Sequence, residues 1–226
     1  MTTGEAASGV VVEYRDSLAV ARIDRGENRF HPELIDALEA LLDQLESDEG
    51  PAALVVTGTG KFFSNGLDLE YMSNNPDDAE RTLARVHSLF GRVLGLGVPT
   101  VAAINGHAFA AGAMLALAFD HAVMREDRGF FCLPEADLGL PFTPGMNALI
   151  TARLSHPVAH EAMVTARRYG GPDALAAGIV HQVAAEDEVL ARATERAQML
   201  SGKPRQGLKE IKRGLYGPAL DLLAAH

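Results

Sequence analysis

Hydrophobic positions follow two rhythms along this chain: short runs rich in Val, Ala and Ile, and longer stretches at helical spacing. Val10 to Tyr14 and Leu18 to Asp24 are runs of the first kind on either side of Arg15-Asp16-Ser17, and they predict a hairpin. Past the polar loop Arg25-Gly26-Glu27-Asn28-Arg29, the segment His31-Pro32-Glu33 opens a helix, with Pro near its first position and an acid in its first turn. Leu34, Ile35, Leu38, Leu41, Leu42 and Leu45 keep one helix face apolar until Gly50-Pro51 stops it. Ala53 to Thr57 reads as a buried strand, Gly58 to Leu69 as a loop, and Asn74 to Asp78 as a turn. A second amphipathic helix follows over about Ala79 to Leu94, with Leu83, Val86, Phe90 and Val93 inward.

The stretch from Val98 to Asp120 departs from both rhythms. Thr100 to Ile104 reads as a buried strand, Asn105-Gly106 breaks it, and Ala108 to Phe119 is apolar on every face. Such a segment is a helix packed on all sides. Its start, Ala110-Ala111-Gly112-Ala113, has no large side chain. Small residues there serve close packing, or else they leave the free N–H groups of a helix start open to an anion or a developing oxyanion.

Further on, Ala122 to Arg125 and Phe130 to Leu133 read as short strands around Glu126-Asp127-Arg128, and Pro134 to Pro141 as a loop holding Glu135 among apolar residues. Helices are expected from Pro144 to about Leu154, from His156-Pro157 to about Arg167, and from Pro172 to Ala177 with Gly178 as a left-handed cap. A strand from Ile179 to Val183 and helices over about Asp187 to Leu200 and Pro204 to Leu215 complete the chain. Strands alternating with helices imply right-handed crossovers in an α/β layered fold. No internal repeat or long linker shows in the sequence.

Composition narrows the function classes. At 226 residues with 47% hydrophobic content, one main domain with an ample core is expected. A formal net charge of -10 argues against nucleic acid or an anionic membrane surface as the main partner. No apolar run is long enough to span a membrane, and the N-terminal segment lacks the basic start and apolar core of a secretory signal. The one cysteine, Cys132, excludes an intrachain disulfide framework and fits a reducing compartment, so a soluble cytoplasmic protein is expected. Gly58 to Gly66 matches neither the dinucleotide fingerprint nor a P-loop.

Taken in order, three pieces resemble the crotonase superfamily, the enoyl-CoA hydratases and isomerases. They are Phe63-Ser64-Asn65-Gly66-Leu67-Asp68-Leu69, Ile104-Asn105-Gly106 with its small-residue helix start, and Pro134-Glu135 with Leu138-Gly139. The resemblance runs from the hairpin to about Leu215. It implies an α/β fold with a repeated ββα spiral core over residues 1–183, then a short C-terminal helical segment over 184–226 with trimerisation elements. It also implies an acyl-CoA thioester as substrate, no separate cofactor, no metal, and a homotrimer or hexamer. An oxyanion hole of two backbone N–H groups is implied, and by position these belong to Leu67 and Ala111. At Ala111 relatives usually have the middle of a Gly triplet. Substrate contacts are implied at Arg25, Asn28, Phe30, Ser64, Gly66, Asp68, Leu69, His107, Gly112, Met114 and Pro134.

Hydratases of this superfamily carry two glutamates, whereas here the helix position is Met114 and only Glu135 is kept. One carboxylate between Leu133, Pro134 and Leu138 should be held towards its neutral form and gain base strength near neutrality. That suits moving a proton between two carbons, as in a Δ3,Δ2-enoyl-CoA isomerase. A loop carboxylate satisfied by backbone N–H groups is the other reading of Glu135. His107 reads as a packed wall residue or an acid/base group, His31 as a helix-start residue, and Asp68 as a residue that orients its own loop. Arg25 and Arg29 lie where relatives place residues near the CoA. Lys209, Lys212 and Arg213 read as a solvated helix face, or as contacts to CoA phosphates or a neighbouring subunit. The short stretch after Leu215 implies reduced helices over the acyl pocket. Acyl-CoA binding without turnover, or another crotonase-type reaction such as hydration or thioester hydrolysis, remains compatible with the residues.

Overall fold

The computed structural model describes residues 9–15, 17–47 and 53–225. Val10–Arg15 (β1) and Leu18–Ile23 (β2) pair antiparallel, as the alternating runs predict. Pro32–Ser47 (α1) buries the six apolar residues of its stripe; its expected stop at Gly50-Pro51 lies outside the described residues. Ala53–Gly58 (β3) then returns parallel to β2, fully buried, because a strand covered on both faces carries no polar alternation.

A repeating unit follows that the sequence pattern does not show. After β3 comes the short strand Phe62–Ser64 (β4), then helices Leu69–Asn74 (α2) and Pro76–Gly95 (α3). After Thr100–Ile104 (β5) comes His107–Phe109 (β6), then Ala111–Ala118 (α4). After His121–Arg125 (β7) comes Phe131–Cys132 (β8), then the helical turn Glu135–Leu138 (α5) and helix Pro144–Arg153 (α6). The long strands enter a six-stranded sheet of order β1-β2-β3-β5-β7-β9, where β9 is Gln182–Ala184. The short ones form a parallel sheet of order β4-β6-β8. Two strands and then helix, three times over, is the ββα arrangement that the resemblance implies.

Several sequence expectations are corrected at the short strands. Gly58 to Leu69 is not all loop, and the apolar helix does not begin at Ala108. Ala108 and Ala110 N–H groups instead donate across to Phe130 and Cys132 carbonyls, at 2.9 and 3.0 Å. Strands of two or three residues are too short for alternation to register. Helix α2 was unforeseen; Asp68 starts it by accepting the Tyr71 N–H at 3.1 Å. Pro134 to Pro141 contains a helical turn, closed by left-handed Gly139. The strand expected at Ile179 to Val183 forms only as β9, after Gly178 at φ 71.

Helices His156–Thr165 (α7), Gly171–Ala176 (α8), Val189–Leu200 (α9) and Arg205–Leu223 (α10) complete the described chain. Helix α9 lays Val189, Ala193 and Ala197 on Leu18, Val20, Val55, Val101 and Val123 of the large sheet. The other face receives α1, α3 and α4. The division at 183/184 falls inside β9. Helix α10 runs beyond Leu215 and through Pro218, seating Ala219 and Leu223 in the core beside α3 and α6.

The basic cluster on α10 is not all a solvated face. Lys212 is 2% exposed, and its Nζ donates to Asp120 at 2.7 Å and to the Val98 carbonyl at 3.2 Å. Asp120 also accepts the Thr100 N–H and hydroxyl, so α10 is pinned to the start of β5 and the end of α4. Removing one partner would leave a poorly solvated charge. Lys212→Met is expected to cost about 3 kcal/mol in urea unfolding, with part recovered when Asp120→Asn is added; an unchanged midpoint would mean that the pair contributes nothing.

Candidate active site

The site is built where β4 ends and α4 begins. Gly66 stands at φ 83, and a Cβ there would lie 3.0 Å from the Ala110 Cβ and the Phe109 carbonyl oxygen and 3.2 Å from the Ala111 nitrogen. Only glycine lets these segments come so close. The Gly66 carbonyl accepts the Phe30 N–H at 2.8 Å. Across a trans peptide the following N–H points the opposite way, so the Leu67 N–H faces away from Phe30. On the facing segment, the Ala110 carbonyl accepts the Met114 N–H at 3.0 Å, which turns the Ala111 N–H out of the helix start. Ala110 holds φ 50 and ψ -124 to make that corner, a region costly for a residue with a Cβ.

Leu67, Ala111 and Glu135 line one cavity of about 400 Å³. Glu135 opens α5 directly after β8 and Pro134, and is 7% exposed. Its Oε2 is buried with no hydrogen-bond partner among the described residues. Burial, opposed only by its own backbone N–H, pushes its pKa up from 4.5 to about 7. A carboxyl poised there can both take and return a proton near neutral pH. No other carboxylate lines the cavity among the described residues. Nor do these residues contain a cluster of three or more His, Cys, Asp or Glu able to hold a metal.

The structure sorts the other anticipated residues. Leu69 and Pro134 line the same cavity, with Gly66 beneath it. Asn28, Phe30, Ser64, Gly112 and Met114 do not line it, which corrects their reading as substrate contacts. Asn28 is fully buried and donates to the Phe62 carbonyl at 2.9 Å, while the Ser64 hydroxyl donates to the Asn28 carbonyl at 2.7 Å. Phe30 and Met114 are core residues, and a Cβ on Gly112 would meet the Ser64 carbonyl oxygen at 2.3 Å. These five hold the loop against the helix. Asp68 caps α2 and, with Arg25, borders an adjoining polar hollow that also contains Glu27, Arg29 and Glu70. Arg25 is paired with Glu33 and Arg29 with Glu27. His107 lies outside the cavity among Phe62, Phe109 and Phe130. Burial first, then Lys61, Arg128 and Arg168, hold its pKa below the usual histidine value.

Sequence reading missed Asn65, Met72, Leu83, Phe109, Leu140, Thr143 and Met146 as lining residues. Thr143 had a signal, since Thr before Pro144 marks a helix start, and its hydroxyl does accept the Met146 N–H. Met72 and Phe109 had none, because they sit on the unforeseen α2 and β6.

Comparison with known proteins bears on this geometry. The family model described as enoyl-CoA hydratase/isomerase matches residues 13–223. A protein named enoyl-CoA delta isomerase 3, from Arabidopsis thaliana, is 35% identical over 84% of this chain and 84% of its own length. A putative enoyl-CoA hydratase of Thermus thermophilus is 33% identical over 86% and 79%. Among solved structures, an apo enoyl-CoA isomerase of Mycobacterium tuberculosis superposes with a TM-score of 0.89 at 30% identity, covering 97% of this chain and 96% of that one.

The raised Glu135 pKa makes stability depend on pH. Between pH 4.5 and about 7 the folded protein holds a proton that the unfolded chain has released, so this contribution is present at low pH and is lost as the pH rises through 7. Glu135→Gln stays neutral throughout. It should match the wild type near pH 4.5 and exceed it by up to about 3 kcal/mol near pH 8, read from urea midpoints; equal midpoints at pH 8 would contradict the shifted carboxyl.

Proposed function

Since the chain belongs to the enoyl-CoA hydratase/isomerase family, we propose that it isomerises 3-enoyl-CoA thioesters to 2-enoyl-CoA thioesters with Glu135 as the single base. One observation carries this reading: a buried carboxylate whose Oε2 has no hydrogen-bond partner among the described residues lines the same cavity as Leu67 and Ala111, and the helix position of the second glutamate is the buried Met114. The Glu135 carboxylate takes the C2 proton of the acyl chain. The electron pair moves towards the thioester carbonyl, whose oxygen accepts from the Leu67 and Ala111 N–H groups. Collapse of this dienolate shifts the double bond from C3–C4 to C2–C3, and Glu135 returns the proton at C4. Atoms and oxidation state are unchanged, so the thioester supplies the activation and no separate cofactor is called for.

Backbone donors suit the task because they have no proton to lose and are already aimed before charge develops. Each contributes on the order of 3 kcal/mol, about a hundredfold in rate. Hydration would need a second group to activate or orient water, and Met114 supplies none. Similarity to Arabidopsis proteins named delta isomerases supports the same choice.

For assembly we propose a homotrimer or hexamer, supported by Ile211 and Leu215, which stand largely exposed one turn apart on α10. A cytoplasmic location is supported by the buried, unpaired Cys132. Among the described residues no helix is long and apolar enough to cross a membrane.

Turnover of a 3-enoyl-CoA by Glu135→Gln is expected to fall on the order of 100-fold or more in kcat, with binding of the ester within a few fold, and crotonyl-CoA hydration by the wild type to be slow or undetectable. Retention of most isomerase activity in the folded variant would place the base elsewhere, and rapid hydration would sink the single-base scheme. Light scattering at micromolar concentration should give the mass of three or six chains; a monomer contradicts the assembly.

A further inference from the structure

Two parts of the cavity lining differ sharply in character. On one side, Met146 is buried and Thr143 is braced from behind: its hydroxyl bonds to Nε2 of the fully buried His87 at 3.1 Å and accepts the Met146 N–H at 3.2 Å. That bond joins α3 to α6, so this wall is fixed. Elsewhere the same cavity is edged by Leu69, Leu138 and Leu140, which are 46%, 55% and 46% exposed. A single exposed leucine needs no explanation, but three from two separate segments around one opening form an apolar lip. Leu138 ends α5, and Leu140 follows left-handed Gly139. The lip is therefore continuous in sequence with Glu135.

Resting on the reading of the site as one for acyl-CoA thioesters, we propose that this lip is the track for the distal part of the acyl chain, and that the preferred substrates carry chains of about ten carbons or more. The braced wall of Thr143 and Met146 stops the chain from extending inward past His87. Methylenes beyond the cavity then leave it over Leu69, Leu138 and Leu140, which lose contact with water as the chain covers them. The polar hollow of Arg25, Glu27, Arg29, Asp68 and Glu70 adjoins the cavity at Arg29 and does not suit a hydrocarbon chain.

Binding titrations of hexanoyl-CoA and dodecanoyl-CoA to the full chain test this without turnover. Each methylene removed fully from water contributes about fourfold in affinity. With the lip covering the six extra carbons from one side only, the wild type should bind the dodecanoyl ester at least about 10-fold more tightly than the hexanoyl ester. Leu138→Ser/Leu140→Ser should reduce that ratio to about threefold or less, and Leu69→Ser, on a different element, should lower it independently. A ratio near one in the wild type, or one unaltered in both variants, overturns the lip. Tight binding of both esters with a flat ratio removes the lip alone and leaves the acyl-CoA site standing. Failure of both esters to bind removes both. Absence of 3-enoyl-CoA isomerase activity in the wild type together with a ratio of about 10-fold or more counts against the proposed reaction and supports the lip.

Discussion

Main chain meets main chain where α4 begins, and the surrounding structure depends on that contact. Gly112 lies against the Ser64 carbonyl and Gly66 against Phe109, Ala110 and Ala111, with no room for a Cβ at either glycine. Leu67 and Ala111, from segments far apart in sequence, line one cavity only because those side chains are absent. Such closeness forces a corner at Ala110, in a conformation that costs an alanine on the order of 1–3 kcal/mol. The corner is held from both sides, by the Ala110 N–H on the Cys132 carbonyl and the Met114 N–H on the Ala110 carbonyl. Asn28, Ser64 and Phe30 hold the facing loop. Asn28, Ser64 and Phe30 thus act as a frame beneath the cavity rather than as part of its lining.

Charge is handled in opposite ways at the two ends of α4. At its start no side chain caps the helix. At its end the Arg153 guanidinium donates to the Leu117 and Phe119 carbonyls, both at 2.7 Å, and to the Tyr216 hydroxyl. A cation there satisfies the negative end of the helix dipole. Asp120, half-buried, and the buried Lys212 add an ion pair one residue further on. Glu135 receives no such cation, so burial raises its pKa against only the small opposing pull of its own backbone N–H. A partner of the Lys212 kind would pull the carboxyl back to ordinary acidity and remove its use as a base near neutrality.

Long elements were legible because their periodicity spans many residues. The α1 stripe, the buried β3 and β5 and the hairpin were all readable from spacing. The site was legible for a different reason: glycine at Gly66 and small residues after Ala110 mark backbone approach, and Glu135 is a carboxylate set among apolar neighbours. Illegible parts were those fixed by partners distant in sequence. Strand β6 exists through its pairing with β4 and with β8, and Ala-Phe-Ala around Phe109 is as compatible with helix as with strand. Lys212 looked like surface because its helix is polar elsewhere, and only Asp120 explains its burial. The cavity wall on α6 came from tertiary packing that no local pattern encodes.

Parallel pairing has a consequence for the order of events in folding. Every neighbour in the large sheet beyond β1-β2 is joined across an intervening crossover, with Leu54 set beside Thr100 and Val123 beside Gln182. Contacts so distant in sequence close slowly, because loop entropy is lost before pairing compensates it. On a growing chain, Leu67, Ala111 and Glu135 are all made while β9, α9 and α10 are still absent. The end of α4 then lacks Lys212 and Tyr216, and one face of the sheet lacks Val189, Ala193 and Ala197. A cavity whose lining is complete once Met146 has been made acquires its full support only when the chain has reached Leu223.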